Sequence, residues 1–101
     1  AMAEPYHVIM SPHNYNSTSV ALAATVHACA VMPNFLITEY FVNFAEVGNA
    51  ITVDPWSVED GYVALPTEPG LGIELDEEAL AHYAYKQFPA RSLPQFGAEG
   101  P

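Results

Sequence analysis

Cationic side chains are almost absent from this sequence of 101 residues. Two Lys and Arg face twelve Asp and Glu, which gives a formal net charge of −10 at pH 7. Nucleic-acid backbones and anionic membranes are bound by clustered Lys and Arg. The composition therefore argues against both as partners, and a charge this negative mainly keeps a protein soluble.

Cysteine and long apolar runs are also scarce. The single cysteine, Cys29, cannot form a disulfide within the chain, and its apolar surroundings favour a small buried side chain over a nucleophile. The longest apolar candidate, residues 20–32, is shorter than the ~20 residues that a membrane span requires, and it contains His27. The first residues lack the basic region of a secretory signal. These absences predict a cytoplasmic protein.

Hydrophobic side chains, in contrast, are plentiful. They make up 50% of the sequence, which is enough for a packed core and argues against disorder outside the tail. A chain of this length is one small domain at most, and such a domain buries a modest fraction of its surface. We therefore expect only marginal stability from the chain alone.

The first fifty residues have the pattern of a strand–helix–strand unit. Residues 7–10 are a short apolar run with β-branched side chains, which predicts a strand that ends before Pro12. The Ala-rich stretch from Ser19 to Met32 predicts a helix. Residues 35–38 predict a second strand, and this spacing is typical of a right-handed crossover between parallel strands.

This strand–helix–strand unit needs more apolar cover than its own residues provide. Both predicted strands are apolar throughout, as in a sheet that is covered on both faces. Two strands and one helix are too little for that cover, so we expect the unit to be part of a larger fold. Residues 1–6 also have the pattern of the last turn of a helix. We expect small side chains of the Ala-rich helix, Ala24 among them, to lie close against the strands.

The second half of the sequence has a different character. Residues 41–50 have the pattern of a mixed apolar and polar connection, and residues 51–66 that of short extended pieces around an Asp-Gly turn. Asp76 predicts the cap of a second helix that runs to about Gln87, because acidic residues suit a helix start. Residues 89–101 are rich in Pro and Gly and predict an extended or disordered tail.

Two ionisable residues follow the predicted parallel strands. His13 comes three residues after the first strand, and Glu39 directly follows the second. Functional side chains gather at the C-terminal ends of parallel strands, which lie about 4.8 Å apart. We therefore expect both side chains to face one pocket, His13 as a proton-transfer group and Glu39 as a hydrogen-bond donor or electrostatic partner. A surface loop histidine is the alternative for His13.

The remaining histidines and acids form no recognisable motif. No pair of histidines has the spacing of metal ligands, and the acids at residues 76–78 suit a solvated helix start. Gly70 and Gly72 precede an extended segment rather than a helix, which argues against a phosphate-binding loop. His27 is predicted to be a hydrogen-bonded core or interface residue.

These same residues carry a resemblance to a known family. The segments Ser-Pro-His-Asn at 11–14 and Pro-Asn-Phe-Leu-Ile-Thr-Glu-Tyr at 33–40 resemble the end of the catalytic barrel in the mandelate racemase subgroup of the enolase superfamily. Residues 59–63 and 69–76 fit the same pattern in order. The sequence is most similar to sugar-acid dehydratases of the galactonate, gluconate and mannonate type, and the resemblance spans residues 1–88.

The resemblance implies an α/β fold, namely the C-terminal portion of a modified TIM (β/α) barrel. Residues 1–50 would supply the seventh strand, the seventh helix and the eighth strand. Residues 51–88 would form a return segment, with short strands and a helix, toward a capping domain, and residues 89–101 a tail. The implied partners are the remainder of the barrel, the capping domain, a small sugar-acid substrate and further copies in a homo-oligomer.

The resemblance also implies a reaction. The family removes the proton next to a carboxylate with the help of Mg²⁺, whose three acidic ligands would lie on strands outside this sequence, and a dehydratase then loses the 3-hydroxyl as water. His13 matches the acid/base histidine after the seventh strand. Glu39 matches the acid that hydrogen-bonds the substrate carboxylate, and to donate it would have to be protonated, which burial favours. Trp56 is a candidate for the substrate mouth, with a structural aromatic as the alternative.

Two other functions fit the same residues. A racemase, epimerase or cycloisomerase of the superfamily would carry the same His13 and Glu39. A free-standing acidic binding module without catalysis belongs to a different class, and it would need a covered core of its own. Two bare parallel strands argue against that module.

Overall fold

The computed structural model describes residues 2–87, which form short elements joined by extended segments. The helices are α1 (Ser19–Ala30), α2 (Ala45–Ala50) and α3 (Glu77–His82), the strands are β1 (Val58–Glu59) and β2 (Tyr62–Val63), and single 3-10 turns lie at Glu4–Tyr6 and Val42–Phe44. No helix in this part of the chain is long and apolar enough to cross a membrane. The predicted tail at residues 89–101 lies outside the described residues.

Helix α1 buries one face. Its buried apolar side chains are Leu22, Ala23, Val26 and Cys29, which recur at helical spacing. Ala23 is fully buried, whereas Ala24 is exposed. The expectation that Ala24 packs closely is therefore wrong for this structure, because each residue turns the helix by about 100° and the buried face lies one position earlier.

The two predicted strands are extended parallel segments rather than regular strands. One parallel bridge joins Met10 to Phe35. The Leu36 N–H donates to the Met10 carbonyl at 2.9 Å, and the Glu39 N–H donates to the Pro12 carbonyl at 3.3 Å. Pro12 has no N–H to donate, so the ladder cannot continue regularly through this residue. The parallel direction and the neighbouring positions agree with the sequence pattern.

Apolar side chains on these segments are largely uncovered. The exposed fractions are 52% for Val8, 61% for Ile9, 61% for Leu36 and 60% for Ile37. The buried apolar core among residues 2–87 is small and consists of the four α1 side chains together with Ile51. Residues 2–87 therefore do not supply the two-sided cover that the apolar segments require.

Residues 45–50, which lie in the predicted mixed apolar and polar connection, form α2. The hydroxyl of Ser19, at the start of α1, donates a hydrogen bond to the buried Gly48 carbonyl of α2. A Cβ on Gly48 would lie 3.1 Å from that hydroxyl oxygen, so the helix approaches closely because residue 48 is glycine. Local propensity disfavours glycine in a helix, and this tertiary contact stabilises α2 nonetheless.

The hairpin follows the Asp-Gly signal in the sequence. Val58 pairs with Val63 and the two strands run antiparallel. Asp60 and Gly61, at the tip, have φ values of 50° and 81°. Positive φ at both central residues is the geometry of a type I′ turn, which suits the twist of a two-residue hairpin.

Helix α3 begins where the sequence predicts. The Asp76 side chain caps it, since its Oδ1 accepts a hydrogen bond of 2.9 Å from the Ala79 N–H. The Asp76 N–H also donates to the Ile51 carbonyl at 3.0 Å, which joins the helix start to the core. The helix ends at His82, earlier than the predicted Gln87. Residues 83–87 are exposed, and short helices without a buried face are marginal.

Candidate active site

The ends of the two parallel segments bring His13 and Glu39 together. The pairing that starts at the Met10–Phe35 bridge continues to the hydrogen bond between Glu39 and Pro12. Beyond it, His13 Nδ1 lies 2.6 Å from Glu39 Oε2. The site is therefore formed by the register of the two segments, and not by contacts within either one.

Glu39 is held by a second, backbone donor. The Asn14 N–H donates to Glu39 Oε2 at 2.9 Å. On the preceding residue, the Thr38 hydroxyl donates to the Pro12 carbonyl at 3.1 Å. Glu39 Oε2 is thus an acceptor in this structure, while Oε1 receives no hydrogen bond from residues 2–87. The side chain is 36% exposed, so water reaches it.

His13 is exposed and oriented by its partner. Its side chain is 79% exposed, so packing alone does not hold it. When Nδ1–H donates to the Glu39 carboxylate, the neutral ring has its lone pair on Nε2. Nε2 is then the nitrogen that can take a proton from, or return it to, a group in front of the site.

Two neighbours of the pair are not singled out by the sequence pattern. Asn14 acts through its backbone N–H, which any residue type except proline supplies, so no residue signal marks it. The Tyr15 ring lies parallel to the His13 ring, with centroids 6.1 Å apart and planes 5° apart. The sequence signal that could have identified Tyr15 is its spacing from His13. In an extended segment, residues two apart lie on the same side.

Trp56 lines a small cavity next to the site. Its backbone N–H donates to Asn49 Oδ1 at 3.2 Å, which fixes the main chain. Its side chain lines a cavity of about 20 Å³ together with Asn14 and Phe41, whereas His13 and Glu39 do not line it. That volume holds about one water molecule and is too small for a sugar acid. A contact between Trp56 and substrate stays a prediction.

The buried indole nitrogen of Trp56 is a feature of the same cavity. Trp56 Nε1 is buried and receives no partner from the described residues. Buried polar groups in proteins nearly always have a partner, including ordered water. The position is consistent with a structural aromatic residue that stabilises the loop beneath the site.

A divalent metal has no donor set in this part of the chain. Among residues 2–87, no three His, Cys, Asp or Glu side chains converge on a position that could hold a metal ion. Magnesium requires several converging oxygens in near-octahedral geometry. The described residues do not fit the Mg²⁺ that the resemblance implies, and no chemical step is assigned to the metal.

Two further candidates from the sequence lie apart from the pair. His27 Nε2 lies 3.1 Å from the Leu71 carbonyl and links α1 to the loop before α3. Cys29 is buried on α1 as a free thiol. Both are parts of the packing, and neither belongs to the site of His13 and Glu39.

Extended parallel segments, a connecting helix, and ionisable side chains at their C-terminal ends are the arrangement of a β/α-barrel unit. A family profile described as "Enolase C-terminal domain-like" (MR_MLE_C) matches residues 1–79, and the chain belongs to this family. Its fold is the TIM-barrel domain fold of that family. The resemblance inferred from the sequence motifs is confirmed.

Two sequence relatives support this family assignment. The chain is 38% identical over 87 residues to a D-galactonate dehydratase family member of Streptomyces bingchenggensis, covering 85% of this chain and 21% of that protein. It is 33% identical over 88 residues to a D-mannonate dehydratase of Sphingomonas sp. (strain SKA58), covering 86% of this chain and 22% of that protein.

A solved structure shows the same fold. The crystal structure of a mandelate racemase/muconate lactonizing enzyme from Sulfitobacter sp. matches with a TM-score of 0.70 and 33% identity, and it covers 85% of this chain and 21% of that one. The chain therefore spans about a fifth of the length of the relatives it matches.

Proposed function

We propose that this chain is the C-terminal part of the catalytic barrel of a sugar-acid dehydratase, a hydro-lyase that acts by α-proton removal and loss of the 3-hydroxyl as water. Residues 1–50 form the last unit of the barrel and residues 51–88 the return segment toward a capping domain. The observation that carries the proposal is the contact of 2.6 Å between His13 and Glu39 in a chain of this family. The names of the dehydratase relatives support the reaction class.

His13 moves the proton in this proposal. Glu39 holds the Nδ1 edge of the ring, so Nε2 faces the substrate. In its protonated form His13 donates from Nε2 to the departing 3-hydroxyl, which leaves as water, or returns a proton to carbon afterwards. The base that removes the α-proton belongs to another part of the complete enzyme.

Glu39 has two oxygens with different surroundings. Oε2 accepts from the Asn14 N–H and lies against His13. In this proposal Oε1 is the oxygen that hydrogen-bonds the substrate carboxylate, which requires a proton on Glu39 that the 36% exposure of its side chain does not itself favour. This division lets one side chain orient the histidine and bind the substrate together.

The experiment compares three variants of the complete enzyme with D-galactonate and D-mannonate as substrates. His13→Asn should lower kcat for dehydration by about 10²–10⁴, because a general acid–base group contributes roughly that factor, while KM changes far less. Glu39→Gln should lose a smaller factor, since an amide still donates to a carboxylate oxygen. His82→Asn, an exposed histidine on α3, is the matched control and should retain wild-type rates.

Isotope exchange shows whether His13 acts in α-proton removal or in a later step. In D₂O, His13→Asn should still exchange the substrate α-proton if a separate base removes it. Wild-type dehydration by His13→Asn would contradict the proposal.

A second candidate reaction stays within the superfamily. The solved relative from Sulfitobacter sp. is described as a mandelate racemase/muconate lactonizing enzyme, and either reaction uses acid–base groups at the barrel mouth. Product analysis separates the two, because a racemase or epimerase exchanges the α-proton without releasing water. The non-catalytic binding module is not favoured, since the exposed Leu36 and Ile37 leave it without a covered core.

A further inference from the structure

The imidazole of His13 contacts Glu39 at one edge and has the parallel ring of Tyr15 beside one face. Glu39 Oε2 contacts the edge at Nδ1, at 2.6 Å. A single hydrogen bond limits the position of one atom, but the ring can still turn about the line of that bond. The parallel ring of Tyr15, with its plane 5° from that of His13, is the feature among the described residues that opposes this rotation.

Tyr15 has support of its own. Its ring packs on Phe41 with centroids 4.6 Å apart and planes tilted by 52°, a common arrangement for aromatic pairs. Phe41 is half-buried and lines the small cavity against α2, so it is held by the body of the chain. The Tyr15 carbonyl accepts from the Ser17 hydroxyl at 3.5 Å, within a turn that continues through Asn16.

The same two segments supply both contacts. His13 pairs with Glu39, and two residues further on Tyr15 pairs with Phe41, at the same separation along the chain. In extended segments, residues two apart lie on one side. The aromatic pair is therefore the next layer of the parallel arrangement that creates the acid–base pair, two residues further along each segment.

We propose that Tyr15 is a positioning residue for His13. Its ring, supported by Phe41, keeps the imidazole plane aligned so that Nε2 faces the reacting group while Nδ1 stays on Glu39. The inference rests on the proposed function of His13. It requires the planar face of Tyr15 and not its hydroxyl, so phenylalanine should replace it and leucine should not.

The kinetic experiment compares Tyr15→Leu with Tyr15→Phe in the complete enzyme, with D-galactonate and D-mannonate as substrates. Tyr15→Leu should lower kcat by about two- to tenfold, the factor that corresponds to loss of one aromatic pair, with KM within about twofold. Tyr15→Phe should restore wild-type kcat. Equal losses in both variants would overturn the inference, because the hydroxyl would then be the active feature.

A double-mutant cycle tests whether Tyr15 works through His13. In a His13→Asn background, Tyr15→Leu should cause no further loss of kcat, since there is no imidazole to align. The same loss in both backgrounds would overturn the inference and show a general structural effect of Tyr15. Wild-type activity of His13→Asn itself would overturn the proposed function, and this inference with it.

A spectroscopic readout does not depend on turnover. In protein labelled with ¹³C-histidine, the His13 ring resonance, assigned by its loss in His13→Asn, should shift in Tyr15→Leu and keep its position in Tyr15→Phe. The His82 resonance is the internal reference and should not change. An unmoved His13 resonance and wild-type kcat in Tyr15→Leu, with His13→Asn inactive, would overturn the positioning inference and leave the proposed function standing.

Discussion

Gly61 and Gly72 both have a positive φ, but they differ in the space available for a side chain. Gly61, at the hairpin tip, has a φ of 81°, and a Cβ there meets nothing within 4 Å. Gly72 has a φ of 67°, and a Cβ there would overlap the Pro66 side chain and lie 3.3 Å from the Glu68 carbonyl. Residue 61 thus needs glycine for conformation only, whereas residue 72 needs it for conformation and for space.

This difference predicts unequal costs of alanine. Gly61→Ala should lower the free energy of unfolding of the complete protein by about 1 kcal/mol, since a non-glycine residue in left-handed backbone costs roughly that much. Gly72→Ala should cost about 2–4 kcal/mol, because overlap adds to the backbone strain. Denaturant titration of both variants checks this. Equal denaturation midpoints for the two variants would contradict this prediction and show that the chain around Pro66 accommodates the added Cβ without loss of stability.

At the scale of elements, helices α1 and α2 are joined by one buried hydrogen bond. Ser19 is buried at the first position of α1, and its hydroxyl donates to the Gly48 carbonyl. α2 has six residues and contains glycine, so its own propensity is weak. We infer that the contact with Ser19 is a main reason why residues 45–50 are helical.

Removal of that hydroxyl tests the inference. Ser19→Ala should lower the free energy of unfolding by about 1–3 kcal/mol, because it leaves the buried carbonyl of Gly48 without its donor. Ser17→Ala is the matched control, since the Ser17 hydroxyl makes only an exposed contact at 3.5 Å and its loss should be close to neutral. Thermal unfolding of the complete protein measures both. A Ser19→Ala variant as stable as Ser17→Ala would contradict the importance of this contact.

At the scale of the whole molecule, residues 2–87 do not cover their own apolar surface. Large apolar side chains are exposed on both parallel segments, and the buried apolar core is small. These features agree with relatives in which the matched region is 21–22% of the protein.

The isolated chain should therefore not behave as a stable domain. Residues 1–101 expressed alone should unfold without a cooperative transition in circular dichroism and should bind a dye for exposed apolar surface. The free-standing acidic module requires the opposite result. A compact monomer in sedimentation with a sharp unfolding transition would favour the module over the barrel segment.

Local sequence signals were informative where a structure depends on adjacent residues. The Asp60-Gly61 turn and the cap at Asp76 lie where the pattern indicates, because left-handed backbone and capping are properties of single residues. The proximity of His13 and Glu39 could also be predicted from the sequence. Each residue follows the end of a parallel segment, and the ends of parallel segments lie at the same edge. The catalytic roles of the pair stay a prediction.

Longer-range features needed the structure. Helix α2 depends on a hydrogen bond from Ser19, which lies 29 residues before Gly48, and no local window includes both. The buried alanine of α1 is Ala23 and not Ala24, because the rotation of a helix is set by what packs on it. The two segments are joined by one parallel bridge, from Met10 to Phe35, and this pairing across 25 residues lies beyond any local window.

By itself, the sequence determined the order of extended segments and helix, the turn and the cap, and the family, since these depend on residue types at fixed spacings. The tertiary structure decided which atoms meet. It placed His13 Nδ1 on Glu39 Oε2, added the Asn14 N–H to the same oxygen, and laid the Tyr15 ring parallel to the imidazole. The physical reason is that hydrogen bonds and ring contacts act over a few ångströms between segments distant in the chain, and only the fold sets those distances.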